Sequence, residues 1–177
     1  MNKGETILFW IENAAIGLRQ YTHDDDHDMY LCWLDAGTQK GYNTTFDLSF
    51  DQFKKQDISR FRFWVTIISK LTNESIGTLR LGPDEHCPDL AVWIYPQFRN
   101  QGFGTQAFQL ALQYLFEKYH YPEISAGCYC DNTASLKMLK KIGFIRYPDC
   151  DRKEPDCFTG EETTQLEFRV TKSLLNG

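Results

Sequence analysis

The sequence predicts an α/β (α+β) domain built on a mixed, mostly antiparallel, twisted sheet of about seven strands, in the order β-α-α-β-β-β-α-β-α-β-β. Three observations carry that expectation. Three consecutive runs of strand character, Arg60–Lys70, Ser75–Leu81 and Pro88–Tyr95, are separated by turns too short for a parallel crossover. The hydrophobic period then lengthens from two to about 3.6 over Thr105–Tyr119. No repeat, low-complexity tract or Gly/Ser linker interrupts the 177 residues, so one domain over 1–177 is the economical organisation.

Ala14–Tyr21 reads as the first strand. Thr22 then caps a helix whose acidic start suits a positive helix N-terminus, with Met29, Tyr30, Trp33 and Leu34 on one side and an end near Gly37. A polar loop leads to a short helix over Asp47–Lys55, with Leu48 and Phe53 as its contacts. Phe61, Phe63, Val65 and Ile67 give the next strand its period of two. Phe108, Ala111, Leu112, Leu115 and Tyr119 describe one face of the long helix, and Pro122 stops it. Glu123–Cys130 is a strand, and Asn132–Lys141 a short helix with Leu136 and Leu139 inward and Gly143 behind it. Phe144–Tyr147 and Thr164–Thr171 close the order as strands, with a charged loop over Asp149–Glu162 between them.

Composition narrows the function. A net charge of −5 lacks the basic footprint of a nucleic-acid binder and suits a cationic partner only weakly. Met1–Trp10 lacks the apolar core of a signal peptide, and no stretch approaches the length of a membrane span, so a cytoplasmic protein without membrane association is expected. The six cysteines contain no Cys-x-x-Cys pair and read as reduced thiols; Cys128 and Cys130 fall on one face of a strand. His23 and His27 are spaced to share a metal, but among Asp24, Asp25, Asp26 and Asp28 the plainer reading is a solvated helix start, and no metal site is expected.

The most informative segment is Arg99-Asn100-Gln101-Gly102-Phe103-Gly104-Thr105, which leaves a strand and opens the long helix. Glycines let the chain bend tightly and let a ligand approach the backbone. The first amides of a helix lack internal partners and, with the helix dipole, suit a phosphate or pyrophosphate. Gly102, Gly104 and Ala107 also satisfy a dinucleotide pattern, with Asp131 closing the next strand. That nicotinamide reading is disfavoured and stands third, because Pro96–Gln101 separate strand from glycines, antiparallel strands precede the turn, and too little chain follows Phe144.

The glycine segment resembles the Arg/Gln-x-x-Gly-x-Gly/Ala motif of the GCN5-related N-acetyltransferases (GNAT). Asp131-Asn132-Thr133-Ala134-Ser135 followed by Lys141-Ile142-Gly143-Phe144 is similar to that family's second motif, and Asp89–Pro96 to the strand before its glycine turn. Together these features cover roughly residues 76–147, and their spacing is more specific than either motif alone. The first seventy-five residues resemble, less specifically, the branch containing ribosomal-protein N-terminal acetyltransferases.

The resemblance implies the GNAT fold, with helices on both faces of the sheet, and acetyl-CoA as co-substrate. It implies that amides of Arg99, Asn100, Gln101, Gly102, Phe103, Gly104 and Thr105 hold the pyrophosphate. The backbone of Trp93, Ile94 and Tyr95 would pair with the pantetheine arm, in a cleft where this strand splays from the next. Asn132 would bond the pantetheine, although it also reads as a helix N-cap.

Acyl transfer to an amine needs a proton acceptor, a donor for the oxyanion and relief of the departing thiolate. Asp89 is the candidate acceptor, with a polar strand end as its plainer reading; Glu74 reads as an exposed turn residue. An amide near Ile94 would serve the oxyanion, and Ser135 would orient or protonate the thiolate. Many family members carry Tyr where this chain has Leu139, so Ser135 or Tyr95 is expected to substitute. The acceptor is a small-molecule amine or a protein N-terminus, its pocket built from Thr22–Lys55 and Asp149–Glu162. Paired protomers are common in the family, which makes a homodimer an expectation. A non-catalytic acyl-CoA-binding regulatory module is the competing reading.

Overall fold

The structure, a computed structural model, describes residues 7–175; the residues before Ile7, part of the segment read for a leader, lie outside the description. Nine strands are seen among these residues. The first sheet has the order β1 (Ile11–Glu12), β2 (Ile16–Gln20), β3 (Trp64–Ser69), β4 (Ser75–Leu81), β5 (Leu90–Ile94), every pair antiparallel. The second is formed by β6 (Ile124–Tyr129), β9 (Glu162–Val170) and β7 (Ile145–Arg146), with β8 (Arg152–Pro155) also pairing β9. The one seam between the sheets is a parallel bridge, Asp89 to Ser125, where the Ser125 amide donates to the Pro88 carbonyl at 3.0 Å.

Strand alternation sorts the first sheet's two faces. Val65 and Ile67 of β3 join Leu79, Leu81, Ile16 and Leu18 under α4 (Phe103–Lys118), which buries Ala107, Phe108, Ala111, Leu112 and Leu115. Trp64 points the other way, with Trp93, Tyr95 and Tyr21, beneath α1 (Asp26–Leu34), α2 (Ala36–Gly41) and α3 (Phe50–Phe53). Helices therefore cover both faces, as expected. α5 (Thr133–Ile142) ends at Gly143, whose φ of 102° is the left-handed cap conformation glycine adopts cheaply. A short α6 (Lys172–Leu175) closes the described chain.

Several expectations are corrected. Gly37 does not end the first helix; α1 stops at Leu34 and Asp35 restarts the chain as α2, capping it by accepting from the Thr38 amide at 2.8 Å. Leu34 and Leu48 are exposed, whereas Met29 and Phe53 are buried as expected, joined by Cys32. The charged loop after Tyr147 contains β8, so β9 gains a third partner beside β6 and β7. Cys128 is buried but Cys130 lies beyond the end of β6 and is exposed; all six thiols are free.

The acidic cluster is the largest correction. Asp25 and Asp26 are buried rather than solvated. Asp25 accepts a bidentate pair from Arg19 (2.6 and 2.8 Å), the Thr66 hydroxyl (2.8 Å) and the Thr22 amide (3.0 Å). Asp26 accepts the Tyr21 hydroxyl at 2.7 Å and meets His23 Nδ1 at 2.7 Å. A buried carboxylate is tolerable only when its oxygens are occupied in this way. The cluster thus pins the start of α1 to β2 and β3.

Candidate active site

Away from the Asp89–Ser125 seam, β5 and β6 diverge and leave a cleft of about 440 Å³. Its walls are β5, the turn before α4, the start of α5, β6, and α2 with Tyr42.

One end is made of backbone. Pro96–Phe98 form a single 3-10 turn, and the chain then takes left-handed conformations at Asn100 (φ 61°) and Gly102 (φ 81°) before entering α4. Gly102 is the N-cap, and no side chain caps the helix. Among the described residues the amides of Gly102, Phe103, Gly104 and Thr105 donate to no protein acceptor. A row of unpartnered amides at the positive end of a sixteen-residue helix suits an anionic group such as phosphate. Gly104 keeps that surface low: a Cβ there would stand 3.4 Å from Ile94 Cγ1 and 3.5 Å from Met138 Sδ.

The strand edge beside this turn is already engaged. The Gly82 amide donates to the Asp89 carbonyl (2.7 Å) and the Tyr95 amide to the Ile76 carbonyl (3.0 Å), so odd-numbered β5 residues face β4. Alternation turns Leu90, Val92 and Ile94 towards the cleft. Two of their carbonyls hold side chains: Tyr42 Oη donates to Val92 O at 2.6 Å, and Arg99 Nε to Ile94 O at 3.1 Å. The same guanidinium reaches Asp35 Oδ2 (2.8 Å) and Thr38 Oγ1 (2.6 Å), clamping α2 over the cleft. Burial works against the Asp35 carboxylate, but Arg99 and the Thr38 amide outweigh it and hold its pKa below the usual value.

At the far end Asp89 Oδ1 accepts from the Gly127 amide at 3.1 Å. Asp89 remains accessible to solvent as a residue, yet its carboxyl is enclosed enough that desolvation lifts its pKa; the Gly127 amide, Arg152 and Arg80 oppose that rise. Glu167, paired with Gly127 across β6 and β9, is likewise raised, first by desolvation and then by Asp89. Asn43, with a left-handed φ of 46°, donates to Glu154 Oε1 and to the Pro155 carbonyl, each at 3.0 Å, and accepts from the Cys157 amide at 2.7 Å. Tyr129 also bonds Glu154. The two segments expected to build the acceptor pocket therefore meet beside the cleft.

Most of the expected residues converge. Asp89, Trp93, Ile94, Arg99, Asn100, Gly102, Phe103, Gly104, Thr105, Asn132 and Ser135 line the cleft. Asn132 acts as an N-cap, its Oδ1 accepting from the Ser135 amide at 3.1 Å. Trp93 lines the cleft, but its N–H and C=O face β4 like those of the other odd β5 residues, so they do not offer themselves to a ligand as expected. Two further residues stand apart. Tyr95 is buried in the second core with its hydroxyl 3.5 Å from Ser75, because the alternation that turns Ile94 to the cleft turns Tyr95 away. The Gln101 side chain folds back onto the Gln97 carbonyl at 3.2 Å. Leu139 is buried at the cleft's floor, and Glu74 is exposed. The sequence reading missed Tyr42, Thr38 and the Arg99–Asp35 clamp; a Tyr-Asn pair after a helix carries no motif.

A glycine turn opening the long helix, beside a splayed strand edge, makes a cleft suited to a phosphate-bearing ligand. The chain belongs to the acetyltransferase (GNAT) domain family, whose profile matches residues 15–145; this is the class of acetyl-CoA-dependent N-acetyltransferases. It is 33% identical over 63 residues to the uncharacterized N-acetyltransferase YnaD of Bacillus subtilis (strain 168), a match covering 35% of this chain and only 36% of that protein. Solved structures share the fold at low identity. Spermidine N-acetyltransferase from Vibrio cholerae, in complex with CoA and spermine, superposes with a TM-score of 0.80 at 15% identity, covering 93% of this chain and 100% of that one. The acetyl transferase from Salmonella typhimurium that modifies the N-terminal serine of 50S ribosomal subunit protein L7/L12 gives 0.72 at 15% identity, covering 90% and 96%. Among the described residues no cluster of His, Cys, Asp and Glu could hold a metal, and no helix is long and apolar enough to cross a membrane.

Proposed function

We propose that this chain is a single N-acetyltransferase domain that transfers acetyl from acetyl-CoA to a primary amine, by direct attack of the amine on the thioester. The observation that carries the reading is the row of uncapped amides from Gly102 to Thr105, which suits a pyrophosphate. The inward edge of β5 offers backbone groups to a pantetheine arm, with Asn132 and Ser135 opposite. Asp89 is the proton acceptor: an amine must lose its charge to attack, and a lifted carboxyl pKa brings the base closer to working pH. Ser135, lining the cleft, is the group that orients the departing thiolate.

The acceptor is a cationic amine, either a small molecule or a protein N-terminus. Support comes from the carboxylates Asp89 and Glu167 at that end of the cleft and from the acceptors named for the spermidine- and ribosome-modifying neighbours. Leu139 in place of the family's usual tyrosine keeps a second reading in view, an acyl-CoA-binding regulatory module without turnover. A thiol-release assay with acetyl-CoA against peptides, polyamines, aminoglycosides and amino acids decides between them. Release of CoA with one amine class is the expected result; tight CoA binding with no release on any amine overturns the enzymatic reading.

A further inference from the structure

Burial of Tyr42 in the cleft wall leaves its hydroxyl aimed at the reacting strand edge. Its ring stacks on Trp93 at 4.9 Å and 9°, and packs on Trp33 at 5.4 Å. Its amide is held by the Thr38 and Gln39 carbonyls at 3.1 and 3.3 Å, and the next residue is tied to Glu154. The side chain thus has little freedom, and its hydroxyl rests on Val92 O at 2.6 Å. In an extended strand the N–H and C=O of one residue point to the same side. The Val92 amide therefore faces the cleft beside the Tyr42 hydroxyl, and among the described residues it donates to nothing.

From this placement we infer that Tyr42 is a catalytic hydrogen-bond donor which, together with the Val92 amide, forms the oxyanion hole of the acetyl transfer. The inference rests on the acetyltransferase reading above. An acyl-CoA arm pairing with β5 takes over the Val92 carbonyl, and the Tyr42 hydroxyl, its oxygen held in place by the packed ring, turns its hydrogen to the acyl oxygen. As the amine forms the C–N bond, the carbonyl π pair moves onto that oxygen, where Tyr42 Oη–H and Val92 N–H meet it. The pair returns as the C–S bond breaks; the sulfur leaves with the bonding electrons and takes the surplus nitrogen proton, so CoA departs as the thiol while Asp89 holds the proton the ammonium gave up before attack. Tyr42 neither gives up nor gains a proton. Desolvation, followed by the nearby Asp89, pushes its hydroxyl well above the usual tyrosine range, so it remains a donor throughout.

The test is Tyr42→Phe, which keeps the ring against Trp93 and removes only the hydroxyl. CoA affinity by calorimetry is expected to stay within about twofold of wild type, while kcat falls roughly 100-fold, the usual consequence of losing one oxyanion donor. A second arm needs no turnover: a trifluoromethyl ketone analogue of acetyl-CoA, with methylene in place of sulfur, hydrates to a tetrahedral mimic. Wild type is expected to prefer it to CoA by roughly 100-fold, and Y42F to lose most of that preference. A Y42F enzyme that turns over like wild type, or keeps the preference for the analogue, overturns the inference. Loss of CoA binding by Y42F does so as well, since the hydroxyl would then serve the cofactor grip. If wild type binds CoA but acetylates no amine, the enzymatic reading fails separately and the analogue alone decides the role of Tyr42.

Discussion

The two ends of the cleft are built from different materials. At the glycine turn the groups that face a ligand are main-chain amides fixed by the start of α4, and no side chain caps them. At the Asp89 end they are side chains anchored by distant parts of the chain: Tyr42 on the Val92 carbonyl, Asp89 on the Gly127 amide, and Asn43 and Tyr129 on Glu154. Backbone dipoles recognise phosphate whatever the neighbouring sequence, whereas a mesh of side chains changes with each substitution. Under the function proposed above, the first end serves as a generic cofactor grip and the second as an acceptor site peculiar to this chain.

The sharpest way to break that contrast is Gly104→Glu. The added carboxylate would lie over the unpartnered amides, and CoA binding should fall by more than about 100-fold, with the repulsion of like charges adding to the lost space. Calorimetry on a variant with an unchanged melting temperature checks it; normal affinity would place the phosphate site elsewhere. Asp89→Asn strikes the other end: kcat/KM should drop by about 10²–10⁴ while CoA affinity holds. The lifted Asp89 pKa also fixes the sign of the pH dependence. A carboxyl that ionises above the ordinary value of about 3.9 must lose its proton to act, so activity should decline as pH falls through that raised value, and Asp89→Asn should lack this limb.

Arg99→Ala tests what joins the two ends, because one guanidinium holds Asp35, Thr38 and the Ile94 carbonyl. Charge-assisted bonds of this kind, discounted for a side chain one-third exposed, should contribute about 1–2 kcal/mol, read as a lower melting temperature. Since Asp35 has a depressed pKa in the folded protein, its contribution is present above the unfolded carboxylate pKa and lost as pH falls through the folded value. That acid-side loss should shrink in Arg99→Ala. The smallest effect is expected from Asn43→Ala: a rise of about two- to fivefold in KM for the amine, with no change for acetyl-CoA, since only rim contacts are removed.

The same division explains what could be read from the sequence. β3, β4, α4 and α5 were legible because period and punctuation are local: Val65 and Ile67 alternate, Phe108 and Leu112 recur at helical spacing, and Gly143 ends α5. The uncapped turn that opens α4 was legible for the same reason, since Gly102 and Gly104 mark a backbone geometry. The acceptor end was not, because Tyr42 acquires its place from Val92 fifty residues away and Asn43 from β8. Asp25 and Asp26 were misplaced because acidic residues before a helix read as solvated, and only the fold brings Arg19, Thr66 and Tyr21 to them. Tyr95 was expected to stand in for the tyrosine missing at Leu139, but adjacent strand residues point to opposite faces and its side chain lies in the second core.

The ties on Val92 and Ile94 carry a final consequence for the molecule's behaviour in a crowded solution. A strand with exposed carbonyls and amides invites pairing with strands of other chains, the usual route to aggregation. Here the hydroxyl of Tyr42 and the guanidinium of Arg99 cover the two carbonyls a foreign strand would first engage, and α2 lies across the approach. The inward edge is thereby guarded against intruders of the wrong shape.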